Sequence, residues 1–400
     1  MKKLALLIAS LLMLAACTTP AVPVPTAIQS IYTPSITPSP TQTPSPTFTP
    51  TPTIALPVGY GTPIPALLES INPQTLPLLT LLAQRPTDGY ALRNLVVSPD
   101  SRLLAVYIGN KSINITQMDN GMEVWSQDFD AVVPPQAISF SSDGKWIQIV
   151  CDIYNTSDFS LVHQFTRGPY LKDSCNSLTF FPDGTKVIAG TLAKAYEAHI
   201  WNIDGTQDLQ TITLFVDGES IPGQQYTLSP DGSLLLTHEW ISVWAKNLWL
   251  FQISDNKVIK KFEYGSQDKF GIWDLHWGFS PDGTLLAIDI TRANMYAELL
   301  YLADMPHTLE IWRLSDMTRI QQLDGLGELC GLAFSPAGDM VAERSYDQIT
   351  FRNTVDWNII SQFEISGCTP VVFSPDGKLL VTGAQQGIDS STVLIYGVMP

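Results

Sequence analysis

The sequence predicts an all-β chain, a seven-bladed β-propeller of four-stranded antiparallel blades, and three observations predict it. One phrase recurs seven times: an apolar triplet, a variant of Ser-Pro-Asp-Gly, and a second apolar run, starting at Ser98, Ser141, Phe181, Ser229, Ser280, Ser335 and Ser374. The steps are 43, 40, 48, 51, 55 and 39 residues, and self-similarity at about 40–45 residues marks a four-stranded propeller blade. Most copies are followed by two more strand-like runs split by a polar turn, as in Ala198-His199-Ile200-Trp201 before Asp204-Gly205. Finally, the seventh repeat stops one strand short at Pro400, while an unassigned strand-like run, residues 76–82, precedes the first.

Each copy reads as a hairpin between the first and second strands of a blade. Pro fixes φ at the first corner of the turn, Asp suits the second, and Gly takes the left-handed position from which pairing resumes. Ser142 replaces Pro in the second copy and Ala337 replaces Asp in the sixth; Ser101 stands in place of Gly in the first, whose turn is expected to be the least regular. The residue two before the Ser position is small or β-branched throughout: Val96, Ser139, Thr179, Thr227, Gly278, Ala333 and Val372. Seven innermost strands converging on one axis require this. Second strands such as Leu103-Leu104-Ala105-Val106 are nearly continuous apolar runs, as suits strands buried on both faces. The run 76–82 is assigned to the outermost strand of blade 7, where it closes the ring and removes an open edge. Pro77 is tolerable there because an edge strand leaves one row of N–H groups unpaired.

The repeated hairpin resembles that of the WD-repeat and TolB-type propeller superfamilies, over roughly residues 75–399. The resemblance is divergent: no repeat carries the Gly-His pair, and third strands end Trp201-Asn202 or Trp312-Arg313 rather than Trp-Asp. It implies the fold and a binding or assembly role, and it carries over no specific partner.

Residues 1–17 read as a bacterial lipoprotein signal. Met1-Lys2-Lys3 is basic, residues 4–16 are apolar, and Leu14-Ala15-Ala16-Cys17 resembles the lipoprotein box, which implies acylation of Cys17. The apolar stretch is too short to span a bilayer comfortably. Residues 18–68 form a tether: between 18 and 65 there are 13 Pro and 12 Thr, and no charge occurs between Lys3 and Glu69. Such a segment cannot bury enough apolar surface to order itself and favours extended polyproline II. Residues 69–400 hold the propeller. The expected location is outside the cytoplasm, attached to a membrane by the lipid alone.

Net charge is −16, from 22 basic and 38 acidic residues. That balance argues against nucleic acid and against charge-driven binding to anionic lipid, and a monomer is expected. Beyond Cys17 four cysteines remain. Of the three possible pairings, propeller topology favours Cys330–Cys368, both ahead of inner strands, and Cys151–Cys175 on the same face, against four buried thiols.

Catalytic signatures are missing. There is no Gly-x-Ser-x-Gly elbow, no His-Glu-x-x-His, no Cys-x-x-Cys and no phosphate or dinucleotide loop; no cofactor, metal or catalytic residue is assigned. One asymmetry remains. The face carrying the second-to-third-strand and interblade connections is richest in aromatics at blades 4 and 5, with His238, Glu239, Trp240 and Trp244 in one stretch, Trp273, Asp274 and His276 in another, and Tyr296 in an insertion, 292–307, of helix-like apolar spacing. Aromatic faces beside Asp, Glu and His suit a sugar or peptide; packing of the insertion onto the blade is the competing explanation. Three functions follow: a tethered interaction module for a protein or glycan, an exported lyase or glycan hydrolase, and a TolB-like subunit of an envelope complex. Inner-strand triplets lacking Asp and Glu disfavour the enzyme.

Overall fold

A computed structural model of the chain describes residues 63–87, 90–109, 112–129, 138–165, 175–191, 196–216, 219–221, 225–242, 245–265, 270–294, 305–385 and 390–400. The chain divides into two units, Met1–Pro50 and Thr51–Pro400. The first lies wholly outside the described residues, as do Cys17 and most of the expected tether.

Seven four-stranded antiparallel sheets form the blades of the propeller, each built from consecutive strands except the seventh. Blade 4 runs Tyr226–Leu228, Leu234–Ser242, Ala245–Gln252 and Lys257–Tyr264. Blade 5 runs Phe270–Phe279, Leu285–Asn294, Pro306–Arg313 and Thr318–Leu326. Blade 6 runs Leu329–Phe334, Met340–Ser345, Gln348–Asn353 and Ile359–Glu364. In blade 7, Val371–Phe373, Leu379–Gln385 and Ser391–Gly397 are completed by Thr80–Pro86, paired antiparallel to the last of them.

Closure is therefore made by the amino-terminal segment, but four residues later than the sequence predicts. Leu76–Leu78 is a 3-10 turn, with Pro77 in its opening positions. Asn72 Oδ1 accepts from the amides of Gln74 and Thr75, at 2.9 and 3.1 Å, and this local bonding outcompetes the strand. Ahead of it, residues 63–71 strap the seam of blades 7 and 1: Ile64 N donates to Asp119 O, and Ile71 N to Gly377 O.

Six of the seven turns obey one rule, the third having Phe181 in the Ser position. The Ser hydroxyl donates to the turn carboxylate and accepts the amide five residues on, as in Ser280 Oγ to Asp282 Oδ1 (2.5 Å) and Leu285 N to Ser280 Oγ (2.9 Å). In blade 6, where Ala337 lacks a carboxylate, Asp339 supplies it to Ser335 at 2.7 Å. In blade 1 Ser101 itself takes the left-handed conformation, φ 60°, so that turn is as regular as the others.

Each of the seven interblade seams is filled by its own apolar cluster. The expected small positions, from Val96 to Val372, are all half-buried, as suits a ring about the axis. Among the described residues, the seam between blades 5 and 6 has the smallest buried apolar set, Ala287, Leu309, Ile311, Val341 and Trp357. Leu285, Leu323, Leu332 and Phe334 pack against it half-buried, and the buried Asp289 and Glu343 lie in the same seam.

Candidate functional site

The antiparallel order puts all Ser-Pro-Asp-Gly turns on one face and the starts of the first strands on the other. At blades 4–6 that second face gathers charged and aromatic groups. The aromatic stretches expected as loops are strands: Leu234–Ser242 contains His238 and Glu239, Phe270–Phe279 contains Trp273, Asp274 and His276, and both ends of the 292–307 insertion extend blade 5. The residues whose spacing is helix-like, Met295 to Leu300, lie outside the described residues. Tyr296 and Trp244 lie outside the described residues, and of Trp240 only the backbone is described.

Period-two alternation separates His238 from Glu239. Glu239 turns toward blade 3, where its Oε2 accepts from Trp249 Nε1 (3.1 Å) and Asn247 Nδ2 (3.2 Å). It is a structural anchor away from the other candidates. His238 turns toward blade 5, its ring 5.5 Å from that of Trp277. Burial, with the nearby Lys246 charge, holds its pKa down at about 4, so the ring is neutral.

Lys246 is 3% exposed; its ammonium donates to the Trp273 carbonyl at 3.0 Å and sits 3.5 Å from Asp274 Oδ1. Burial lowers its pKa against the pull of Asp274. Asp274 also lies 3.6 Å from His276 Nε2. Trp273 occupies a bulge, because pairing skips from Ile272 to Asp274, and a bulged residue is re-aimed out of the ladder. The residue stays 37% exposed while its indole N–H donates to Glu328 Oε1 at 2.6 Å. Glu328 immediately precedes blade 6; burial raises its pKa.

Sequence reasoning missed Lys246, Glu328 and a pair deeper in the seam. Asp289 pairs across the strand with His276 and is 0% exposed; Thr291 Oγ1 donates to its Oδ1 at 3.3 Å, and its Oδ2 has no hydrogen-bond partner among the described residues. Burial, then the charge of Glu343 across the seam, holds its pKa well above the ordinary range. Glu343, 5% exposed and also raised by burial, is paired with Arg352 Nε at 2.7 Å. The signal was a carboxylate interrupting an otherwise apolar second strand.

Cys330 and Cys368 form the expected disulfide, with Cα atoms 5.1 Å apart, joining the inner edges of blades 6 and 7. Cys151 is also disulfide-bonded; the side chain of Cys175, its expected partner, lies outside the described residues. Two cavities bounded by described residues lie on the turn face instead. One of about 730 Å³ sits beneath the strap, lined by Ile64, Leu68, Met118, Lys378 and Leu379. The other, about 360 Å³, lies between blades 3 and 4 beside Phe181 and Gln252. The larger is walled by the chain's own strap, whereas the fixed indole of the opposite face is open to a partner. A tethered aromatic ring beside a carboxylate and an imidazole can stack on a flat apolar surface and fix it with a few polar bonds.

Fold and site together define a seven-bladed β-propeller with one polar, aromatic end sector. No family model matches the chain, and no curated protein matches it in sequence. Solved structures match it in fold, 1520 chains of them, so the architecture alone does not select a function. Among them is hydrazine synthase of Kuenenia stuttgartiensis, 15% identical, with a TM-score of 0.56, covering 74% of this chain and 93% of that one. At that identity the likeness concerns the propeller fold.

Proposed function

We propose that this chain is a lipid-anchored, extracytoplasmic binding module that takes a protein or glycan ligand on the end sector of blades 4–6. Trp273 carries the reading: an indole left exposed on a strand bulge yet locked by a buried carboxylate is pre-organised for contact, and a rigid aromatic costs little entropy when it binds. Asp274 and His276 supply the polar contacts around it, and the buried Lys246 holds Asp274 in place. The sequence signal at Cys17 supports anchoring, and the Cys330–Cys368 disulfide accords with an oxidising compartment. The Asp289–Glu343 pair favours a second reading, an exported glycan hydrolase or lyase. Both carboxyls are sealed in the seam, so binding remains the better account.

The test has two arms. Radiolabelled palmitate should enter the wild type and be lost from Cys17→Ser; persistent labelling contradicts the anchor. Full-length protein should retain members of an immobilised panel of envelope oligosaccharides and extended peptides without cleaving them. Turnover of a retained glycan, abolished by Asp289→Asn, would replace the binding reading with the enzyme.

A further inference from the structure

Glu328, Cys330 and Cys368 offer a carboxylate oxygen and two sulfurs that all lie within 4.8 Å of one another. Glu328 and Cys330 are buried at the start of blade 6, and Cys368 lies three residues ahead of the inner strand of blade 7. Cross-linking needs only the two sulfurs; it does not call for a buried carboxylate beside them. That carboxylate is oriented by the Trp273 indole, the outer support that a ligating carboxylate usually has. His276 is near enough for its charge to act on Glu328. Two thiolates and one carboxylate on rigid strand starts make the three-ligand set of a zinc-class site with one open position.

We propose that reduction of the Cys330–Cys368 disulfide turns this cluster into a site for one zinc-class divalent cation, held by both thiolates and Glu328, and that oxidation expels it. The two states exclude each other, because sulfurs bonded to one another are not thiolate donors. Reduction by a dithiol adds two electrons and two protons to the disulfide, giving two thiols, while the reductant closes its own disulfide. Cation binding then releases the two thiol protons. In reverse, a disulfide oxidant withdraws two electrons from the thiolates, the S–S bond forms and the cation leaves. The movement is small: metal–sulfur bonds of about 2.3 Å in a tetrahedral site put the sulfurs roughly 3.8 Å apart.

The probe is cobalt(II), whose thiolate charge-transfer and tetrahedral d–d absorbances report sulfur ligation directly. Full-length protein is reduced with a trialkylphosphine, which leaves two thiols and takes an oxygen from water to become the phosphine oxide. The expected result is one equivalent of cobalt with a thiolate band after reduction, none before it, and loss of the band on reoxidation. Cys151→Ser removes the other disulfide and should bind as the wild type does. Glu328→Gln keeps both thiols; with its oxidised fold verified by circular dichroism, it should bind at least roughly tenfold more weakly after reduction. No thiolate band in the reduced wild type, its loss in Cys151→Ser, or undiminished affinity in Glu328→Gln each overturns the proposal.

Discussion

Trp273 Nε1 and Glu328 Oε1 lie 2.6 Å apart although 55 residues separate them in sequence. The bond joins the inner strand of blade 5 to the residue that opens blade 6, and a carboxylate acceptor makes it stronger than a neutral pair. It holds the indole at a defined angle to the face and gives a buried carboxyl its donor. The exposed ring and the buried acid are therefore one unit.

Replacing Trp273 should destabilise the fold only modestly. Trp273→Ala leaves Glu328 without its donor, a cost of about 1–3 kcal/mol, and removes a side chain that is 37% exposed and so buries less than a core ring. Trp277→Ala should cost about 3–5 kcal/mol, because that ring packs in the blade 4–5 seam with its N–H on Thr227. Urea unfolding of both variants checks this; a larger loss for Trp273 would mean that its ring is core.

Ring closure should depend on Thr80–Pro86 and not on what precedes the strap. Deleting residues 1–62 should leave the melting temperature unchanged. Deleting 1–86 exposes the edge of Ser391–Gly397 and should lower it sharply or give aggregation through that edge. Equal melting temperatures would contradict the closure.

The seam of blades 5 and 6 should make stability depend on pH. Burial facing Glu343 raises the Asp289 pKa, with Thr291 donating to it, Asp274 adding repulsion, and Arg352 engaged by Glu343. The native state then binds the proton more tightly than the unfolded chain. This contribution is complete below the unfolded value of about 3.9 and is lost as pH rises toward the folded one. Asp289→Asn should raise the melting temperature at neutral pH by a few degrees and flatten its decline above about pH 4. The turn acids act with the opposite sign: Ser229 and Ser280 hydroxyls lower Asp231 and Asp282, so their contribution fades as pH falls. Parallel melting curves against pH for wild type and Asp289→Asn would refute the assignment.

The Ser–Asp turn pair should be energetically coupled. Ser280→Ala removes both the donor to Asp282 and the acceptor for Leu285 N, and should cost about 1–3 kcal/mol. Adding Asp282→Ala should cost less than its own single change, since the shared bond is already gone. Strict additivity in a double-mutant cycle would show that the two act separately.

What was legible in the sequence was what local chemistry decides. Seven hairpins follow from turn residues whose side chains bond within five positions, and even the departures at Ser101 and Ala337 are repaired locally, by a left-handed serine and by Asp339. The closing strand was displaced because the Asn72–Thr75 bonds were not anticipated. The site was less legible. Aromatic stretches in blades 4 and 5 read as loops because strand length is set by partners across the sheet. Glu328, Asp289 and Lys246 each face a partner in the neighbouring blade, Trp273, Glu343 and Asp274 respectively, and no spacing within one repeat reveals that. Glu239 looked like part of the site beside His238, but adjacent strand residues face opposite seams.

The most direct measurement is binding of fluorescent envelope oligosaccharides and extended peptides to full-length wild type, Trp273→Ala and Lys378→Glu, each at matched folded fraction. Lys378 lines the strap cavity on the opposite, turn face. The account predicts that whichever probe binds the wild type loses about 1–2 kcal/mol with Trp273→Ala, roughly tenfold in Kd, and is unaffected by Lys378→Glu. Undiminished binding to Trp273→Ala, with loss confined to Lys378→Glu, would contradict it and move the binding face to the turns.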